Sequence, residues 1–281
     1  MVRKVILSRK GFDSSSGGKP SPILGDRLMS LPIPLAGSND FYRNLTFSET
    51  ESYLKIMQDL GIKGHLEGHV DPDIRRSIIV HRPSEWRGTF GQSGTSQANL
   101  RNQNVGKGDI FLFFGWFKEA WRVNGSWVYR QNAPNIHMIY GYLEVEEVYD
   151  LNSIHTIPSW VKYHPHYRDR ADYDQKRNAI YTATGKFSTY KDKAGWGVFD
   201  YDESLVLTKK GSKKRSLWEL PACFKSERGS FKCGFSLWNE TNKGTLEVQQ
   251  RGMGDQELFI SGNPEIVKWA ENLIASCSSE E

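Results

Sequence analysis

The sequence predicts an α+β fold that is predominantly β, and three observations predict it. Residues 110–114, Ile-Phe-Leu-Phe-Phe, form a continuous apolar run of strand length behind the turn Gly106-Lys107-Gly108-Asp109. Such a run suits a strand buried on both faces. Residues 139–146 alternate instead: Ile139, Gly141, Leu143 and Val145 share one face, and Tyr140, Tyr142, Glu144 and Glu146 share the other. That is the period of a half-exposed strand. Further strand-like segments recur near 180–184, 197–199, 205–208, 231–238, 244–249 and 256–260, whereas helical signals are few. The two long strands imply one sheet, with residues 116–134 as an excursion between them.

Composition bounds what this sheet can belong to. With 281 residues, 38% hydrophobic and 25% charged, the chain has the make-up of a soluble globular protein. No repeat or linker divides it, so residues 1–281 read as a single elaborated domain. The net charge of +4 permits a nucleotide or nucleic-acid partner without requiring one. Three cysteines, Cys223, Cys233 and Cys277, have no metal-type spacing and favour reduced thiols in a cytoplasmic protein. No apolar segment reaches signal-peptide or membrane-spanning length, so no membrane partner is expected.

Residues 4–8 read as the first strand. A loop rich in glycine and serine follows over residues 10–22, with Arg9, Lys10, Asp13 and Ser14 among residues that let a backbone approach a ligand. It reads equally as a solvated turn. Residues 41–61 carry a helix signal: Ser48 and Glu51 have capping-box spacing, Tyr53, Leu54, Ile56, Met57 and Leu60 are helically spaced, and Gly61 is placed to end the helix. Then comes a dense ionisable group. In His69-Val70-Asp71-Pro72-Asp73, an extended backbone puts His69 and Asp71 on one face, and Pro72 can turn Asp73 back beside them. One imidazole and two carboxylates can ligate a divalent metal, or serve as a base with its orienting partner. The alternative is a turn in which the aspartates bond to nearby backbone N–H groups.

Residues 86–100 form a second polar stretch. Thr95 or Ser96 can cap a short helix there, and amides such as Gln92 and Gln97 can read a base edge. The competing reading is a loop packed on the sheet. Further on, His164-Pro165-His166 offers two more imidazoles, which either join His69 or cap an aromatic patch with Tyr163 and Tyr167. Residues 168–177 read as a solvated loop. Residues 209–215 hold five cations in seven positions, suited to a phosphate backbone or to a soluble hairpin tip. Asn263-Pro264 opens a C-terminal helix, and the chain is expected to fray after Ser276.

The segments SRKGFDSSSGGKPSPI, GHVDPDIR, WRGTFGQSGTSQANLRNQNVGKGDIFLFFGWF, APNIHMIYGYLEVEEV, YHPHYR and GVFDYDESLVLT resemble the nucleotide-modification-associated family of the third type. The central part, about 86–150, also resembles the PUA-like barrel superfamily of ASCH-, EVE- and YTH-type domains, with strands and a helix over 178–276 added to it. The family resemblance implies a setting in DNA base modification but no particular reaction. One departure is visible, in that Ala98-Asn99 stands where the family pattern has a histidine. Two functions follow as expectations. In one, a polar pocket performs chemistry on a nucleotide or base, with His69, Asp71 and Asp73 as the catalytic candidates and Arg9 or Lys10 holding phosphate. In the other it only reads a base, stacked on Trp86 or Trp116 and recognised by Gln92 and Gln97, with Arg87, Asp13 and Ser14 nearby.

Overall fold

A computed structural model describes residues 2–153, 156–174, 176–232, 234–250 and 256–278. Its α+β architecture is built on one large sheet. Along the main path the strand order is Glu257–Ser261, Val5–Arg9, Ile110–Val123, Ile136–Asp150, Asn178–Ala183 and Thr89–Ser93. Val5–Arg9 runs parallel to Ile110–Val123, and the other neighbours are antiparallel. The apolar run at 110–114 is fully buried, as a central strand covered on both faces requires. The sheet curls until its two outer strands meet through side chains, where Gln92 Nε2 donates to Glu257 Oε1 at 2.6 Å. Within 86–150, Ile110–Val123 pairs directly with Ile136–Asp150, whereas Thr89–Ser93 joins them only through Asn178–Ala183.

Two expectations change here. The excursion after Trp116 is a continuation of the same strand, which folds back at Asn124-Gly125 and returns as Ser126–Tyr129. Both turn residues have positive φ, as a two-residue hairpin of this kind demands. The alternating strand is not half-exposed: Tyr140, Tyr142 and Glu144 are buried with the apolar face. Tyr140 packs on Phe113 and Phe117, and Tyr142 stacks on Phe199. Glu144 is satisfied by Arg3, by the Ser188 N–H and by the Thr184 hydroxyl. Register shifts at Ile139/Gly141 and Val145/Glu147 interrupt the alternation, and polar character did not report exposure.

Helix Tyr53–Asp59 is capped by Ser52, whose hydroxyl accepts from the Lys55 N–H, and Gly61 follows it with φ 71°. Ser48 and Glu51 belong instead to a small ladder before the helix. Helix Gly94–Asn102 starts after Ser93, so neither Thr95 nor Ser96 is its cap. The C-terminal helix Pro264–Cys277 is capped by Asn263, which accepts from the Glu265 N–H at 2.9 Å. Residues 279–281 of the expected fray lie outside the described residues. A second sheet of Leu217–Leu220, Leu246–Gln250 and Phe235–Glu240 packs Trp218 edge-on against Phe114. Cys223 and Cys277 are free thiols, and Cys233 lies outside the described residues. Among the described residues, no helix is long and apolar enough to cross a membrane.

Apart from a small third cluster around Val161, buried apolar residues form two main clusters, one around the large sheet and one around helix Tyr53–Asp59. The segment 70–74 joins them, with Val70 buried in the second cluster and Ile74 in the first. This junction positions the site.

Candidate functional site

Anchoring Val70 in a core turns its neighbours the other way, so His69 and Asp71 face the same side. His69 is held by a short ladder with Ile33–Pro34, and Asp71 lies across strand Thr89–Ser93. Asp71 Oδ1 accepts the Gly91 N–H at 2.7 Å and lies 3.3 Å from His164 Nε2. Its other oxygen, Oδ2, is 3.8 Å from His69 Nε2 and 4.0 Å from His166 Nε2. Both distances are too long for hydrogen bonds.

His164 and His166 come from the single helical turn Pro165–Arg168. His164 caps it, its Nδ1 accepting from the His166 N–H at 3.2 Å, and Pro165 fits the first helical position. An accepting Nδ1 places the His164 proton on Nε2, towards Asp71. His166 Nδ1 lies 2.7 Å from Asn178 Oδ1, while Asn178 Nδ2 donates to the His166 carbonyl at 3.0 Å. The second bond fixes the orientation of the amide, so Nδ1 of His166 carries the proton and the Nε2 lone pair faces Asp71. Gly91 makes this packing possible. A Cβ there would stand 2.3 Å from His166 Cδ2 and 2.7 Å from His164 Cε1.

The electrostatics follow from burial and partners. Burial opposes ionisation of Asp71, but the His164 N–H facing it at 3.3 Å and the charge of Lys10 outweigh it and hold the carboxyl far below its usual range. Burial lowers His69 to about 4 against the pull of Asp71, and lowers His166 to about 3. Near neutral pH the site therefore holds a carboxylate facing two neutral imidazoles. The Tyr173 ring stacks on His166 with centroids 4.1 Å apart, and its hydroxyl is 3.5 Å from His69 Nδ1. Burial pushes that phenol well above its usual range.

His69, Asp71, His166 and Tyr173 line a cavity of about 430 Å³ together with Arg9 and Lys10. Lys10 lies 4.4 Å over the face of Phe90, hydrogen-bonds Gln256 and stands 3.9 Å from Glu257. Gln92 bridges the same pair, donating to Gln256 at 3.1 Å as well as to Glu257. Residues 4–259 match the model of the family described as nucleotide modification associated domain 3. The chain belongs to this family. No curated protein and no solved structure matches the chain.

Within this nucleotide modification associated domain, the residues singled out from sequence fall into three groups. Arg9, Lys10, Asp13, His69, Asp71 and Gln92 all line the 430 Å³ cavity. Asp13 does so as an organiser of its loop: Oδ1 accepts from the N–H groups of Ser15 and Ser16 and from the Ser15 hydroxyl, each at 2.7 Å. Burial opposes ionisation of Asp13, and these bonds outweigh it to lower its pKa. Ser14 and Trp116 line an adjoining groove of about 1030 Å³, which shares Arg9, Asp13 and Ser15 with the cavity. There Arg215 bonds the Ser14 hydroxyl and stacks 4.2 Å over Trp116.

The third group points elsewhere. Pro72 does turn the chain, but Asp73 is gripped by Arg82 through two bonds of 2.8 and 2.5 Å, and its backbone pairs with Thr89. Trp86 is buried beneath the same guanidinium at 3.9 Å, with Trp196 against it edge-on, so no base can stack on it. Gln97 is buried and accepts from the Tyr181 hydroxyl at 3.0 Å, which removes it from base reading. Arg87 is partly exposed beside Glu146, outside both cavities. Asn99, at the departure from the family pattern, accepts from Lys232 at 2.6 Å. In their place the fold supplies His164, His166, Asn178, Tyr173 and Glu257. The paired histidines were visible as a motif; Tyr173, in a charged stretch that reads as loop, carried no signal.

Proposed function

We propose that the cavity binds a nucleotide or nucleic-acid base and that the histidine–aspartate wall performs chemistry on it. One observation carries this reading: a buried carboxylate, Asp71, and two buried imidazoles, His69 and His166, line one cavity together with Arg9 and Lys10, and His164 backs the carboxylate. Recognition alone needs donors and acceptors; an ionised Asp71 beside neutral His69 and His166 offers acid–base groups in addition. In this reading Arg9 and Lys10 take the phosphate, and Tyr173 lines the pocket stacked on His166.

Membership of a family associated with nucleotide modification supports the substrate class. The test is thermal melting of the purified protein against mononucleotides and short oligonucleotides, alongside Asp71→Asn. A ligand present at 100 times its Kd stabilises the folded state by about 2.7 kcal/mol, which a melting midpoint resolves. Binding retained in Asp71→Asn with turnover abolished is the expected result. If no nucleotide, base or oligonucleotide shifts the midpoint, the reading fails.

A second reading, recognition of a base within a strand without chemistry, has its own support in the adjoining groove. Trp116 and Arg215 there form a stacked pair beside Lys213 and Lys214. Oligonucleotide binding that Trp116→Ala weakens, with no turnover in the parent protein, favours this reading.

A further inference from the structure

We propose that His69 Nε2, Asp71 Oδ2 and His166 Nε2 form a binding site for a transition-metal dication. The three residues are buried, and one ligand atom from each lies within 4.8 Å of the other two. Among the described residues, neither Nε2 atom has a hydrogen-bond partner, and the carboxylate oxygen between them stands 3.8 and 4.0 Å away. With the His69 proton on Nδ1, towards the Tyr173 hydroxyl, three acceptors converge without a donor and repel one another unless a cation sits among them.

The surroundings fix this arrangement. Asn178 holds the proton of His166 on Nδ1, which turns the Nε2 lone pair inwards. The Gly91 N–H and His164 occupy Asp71 Oδ1 and leave Oδ2 for the centre. The Tyr173 hydroxyl lies beside the remaining nitrogen of His69. Lys10, whose charge acts on Asp71, is engaged with Gln256. The expected set of His69, Asp71 and Asp73 is thereby replaced, because Asp73 is committed to Arg82.

Two imidazoles and one carboxylate suit Zn²⁺, Fe²⁺, Co²⁺ or Ni²⁺, whereas Mg²⁺ and Ca²⁺ prefer oxygen alone. All three ligands line the cavity, so open coordination positions would face its contents. There a bound water would be acidified, or a substrate oxygen polarised. This deepens the proposed function and rests on it for the use made of the metal; binding of the metal itself requires no nucleotide.

The test is titration calorimetry of metal-stripped protein with Zn²⁺, Co²⁺, Ni²⁺ and Mg²⁺ alone, together with the visible spectrum of the Co²⁺ form. One equivalent of Zn²⁺ or Co²⁺ is expected to bind, with Mg²⁺ far weaker because it prefers oxygen ligands alone. His69→Gln and His166→Gln should each abolish the Co²⁺ bands while melting as folded proteins. Asn178→Leu should weaken binding by roughly 10–100-fold without removing a ligand, and it serves if a histidine variant fails to fold. Absence of Zn²⁺ and Co²⁺ binding, or binding unchanged in these variants, overturns the proposal. Metal binding without any nucleotide-induced shift leaves the site standing and removes the nucleotide reading; the reverse result does the opposite.

Discussion

Single side chains show where charge is structural and where it is available for chemistry. Asp73 and Arg82 are an almost fully buried, two-bonded pair, and removing either partner strands the other. Arg82→Ala is therefore expected to destabilise the fold by about 3–5 kcal/mol in denaturant unfolding. A variant as stable as the parent would contradict a structural role for the pair. His137 has a different consequence. It is buried, its Nδ1 accepts from the Trp218 indole N–H at 3.1 Å, and burial, reinforced by Arg215 and Arg9, lowers its pKa from 6.5 to about 3. A depressed histidine pKa means that the unfolded chain takes up a proton the folded one refuses, so stability falls as pH drops from 6.5 towards 3. Gln at this position still offers an acceptor to Trp218 but does not titrate. Between pH 7 and pH 5 the parent should lose about 2 kcal/mol more than His137→Gln, and equal losses would rule out this linkage. At this scale the sequence was half legible. It exposed His69 and Asp71 through their spacing, but the partners of Asp73, Trp86 and Gln97 lie across the fold, and nothing local distinguishes a committed carboxylate or amide from a free one.

Elements decide which side chains meet. Strand Thr89–Ser93 touches the turn Pro165–Arg168 only because Gly91 has no Cβ, and the same residue supplies the N–H that holds Asp71. Gly91→Ala therefore forces His164 and His166 away without altering any group that does chemistry. A loss of about 1–3 kcal/mol is expected, as for overpacking elsewhere, and the histidine ring signals in NMR should shift together. A change confined to one ring would show that the elements yield independently. The legibility of elements followed whether their determinants were local. Asn263-Pro264 and Gly61 marked helix ends correctly, and Asn124-Gly125 carried a hairpin signal inside a stretch read as an excursion. By contrast, the burial of Tyr140, Tyr142 and Glu144 comes from Phe113, Phe199 and Arg3, which no window around those residues contains.

The whole molecule sets the size of substrate that can reach the cavity. The cavity shares Arg9, Asp13 and Ser15 with the larger groove, so an extended ligand can lie in both. The five cations of residues 209–215 do not act alike. Lys209 pairs with Glu247 and Lys210 with Glu203, whereas Lys213 and Lys214 have no ion-pair partner among the described residues and line the groove. If a strand lies there, its phosphates displace counterions at those two lysines, each accounting for about 0.7 of the slope of log K against log salt for a single strand. Replacing both by alanine should lower that slope by roughly 1.4 and weaken oligonucleotide binding at low salt. Mononucleotide affinity should stay unchanged, because neither lysine lines the 430 Å³ cavity. Fluorescence anisotropy with a labelled oligonucleotide, repeated across salt concentrations, measures the first quantity, and competition by an unlabelled mononucleotide measures the second. An unchanged slope would confine the substrate to the cavity and make the free nucleotide the better reading. Equal weakening of both ligands would mean that the lysines act through the field of the whole surface, and the groove would lose its claim as a path for a strand.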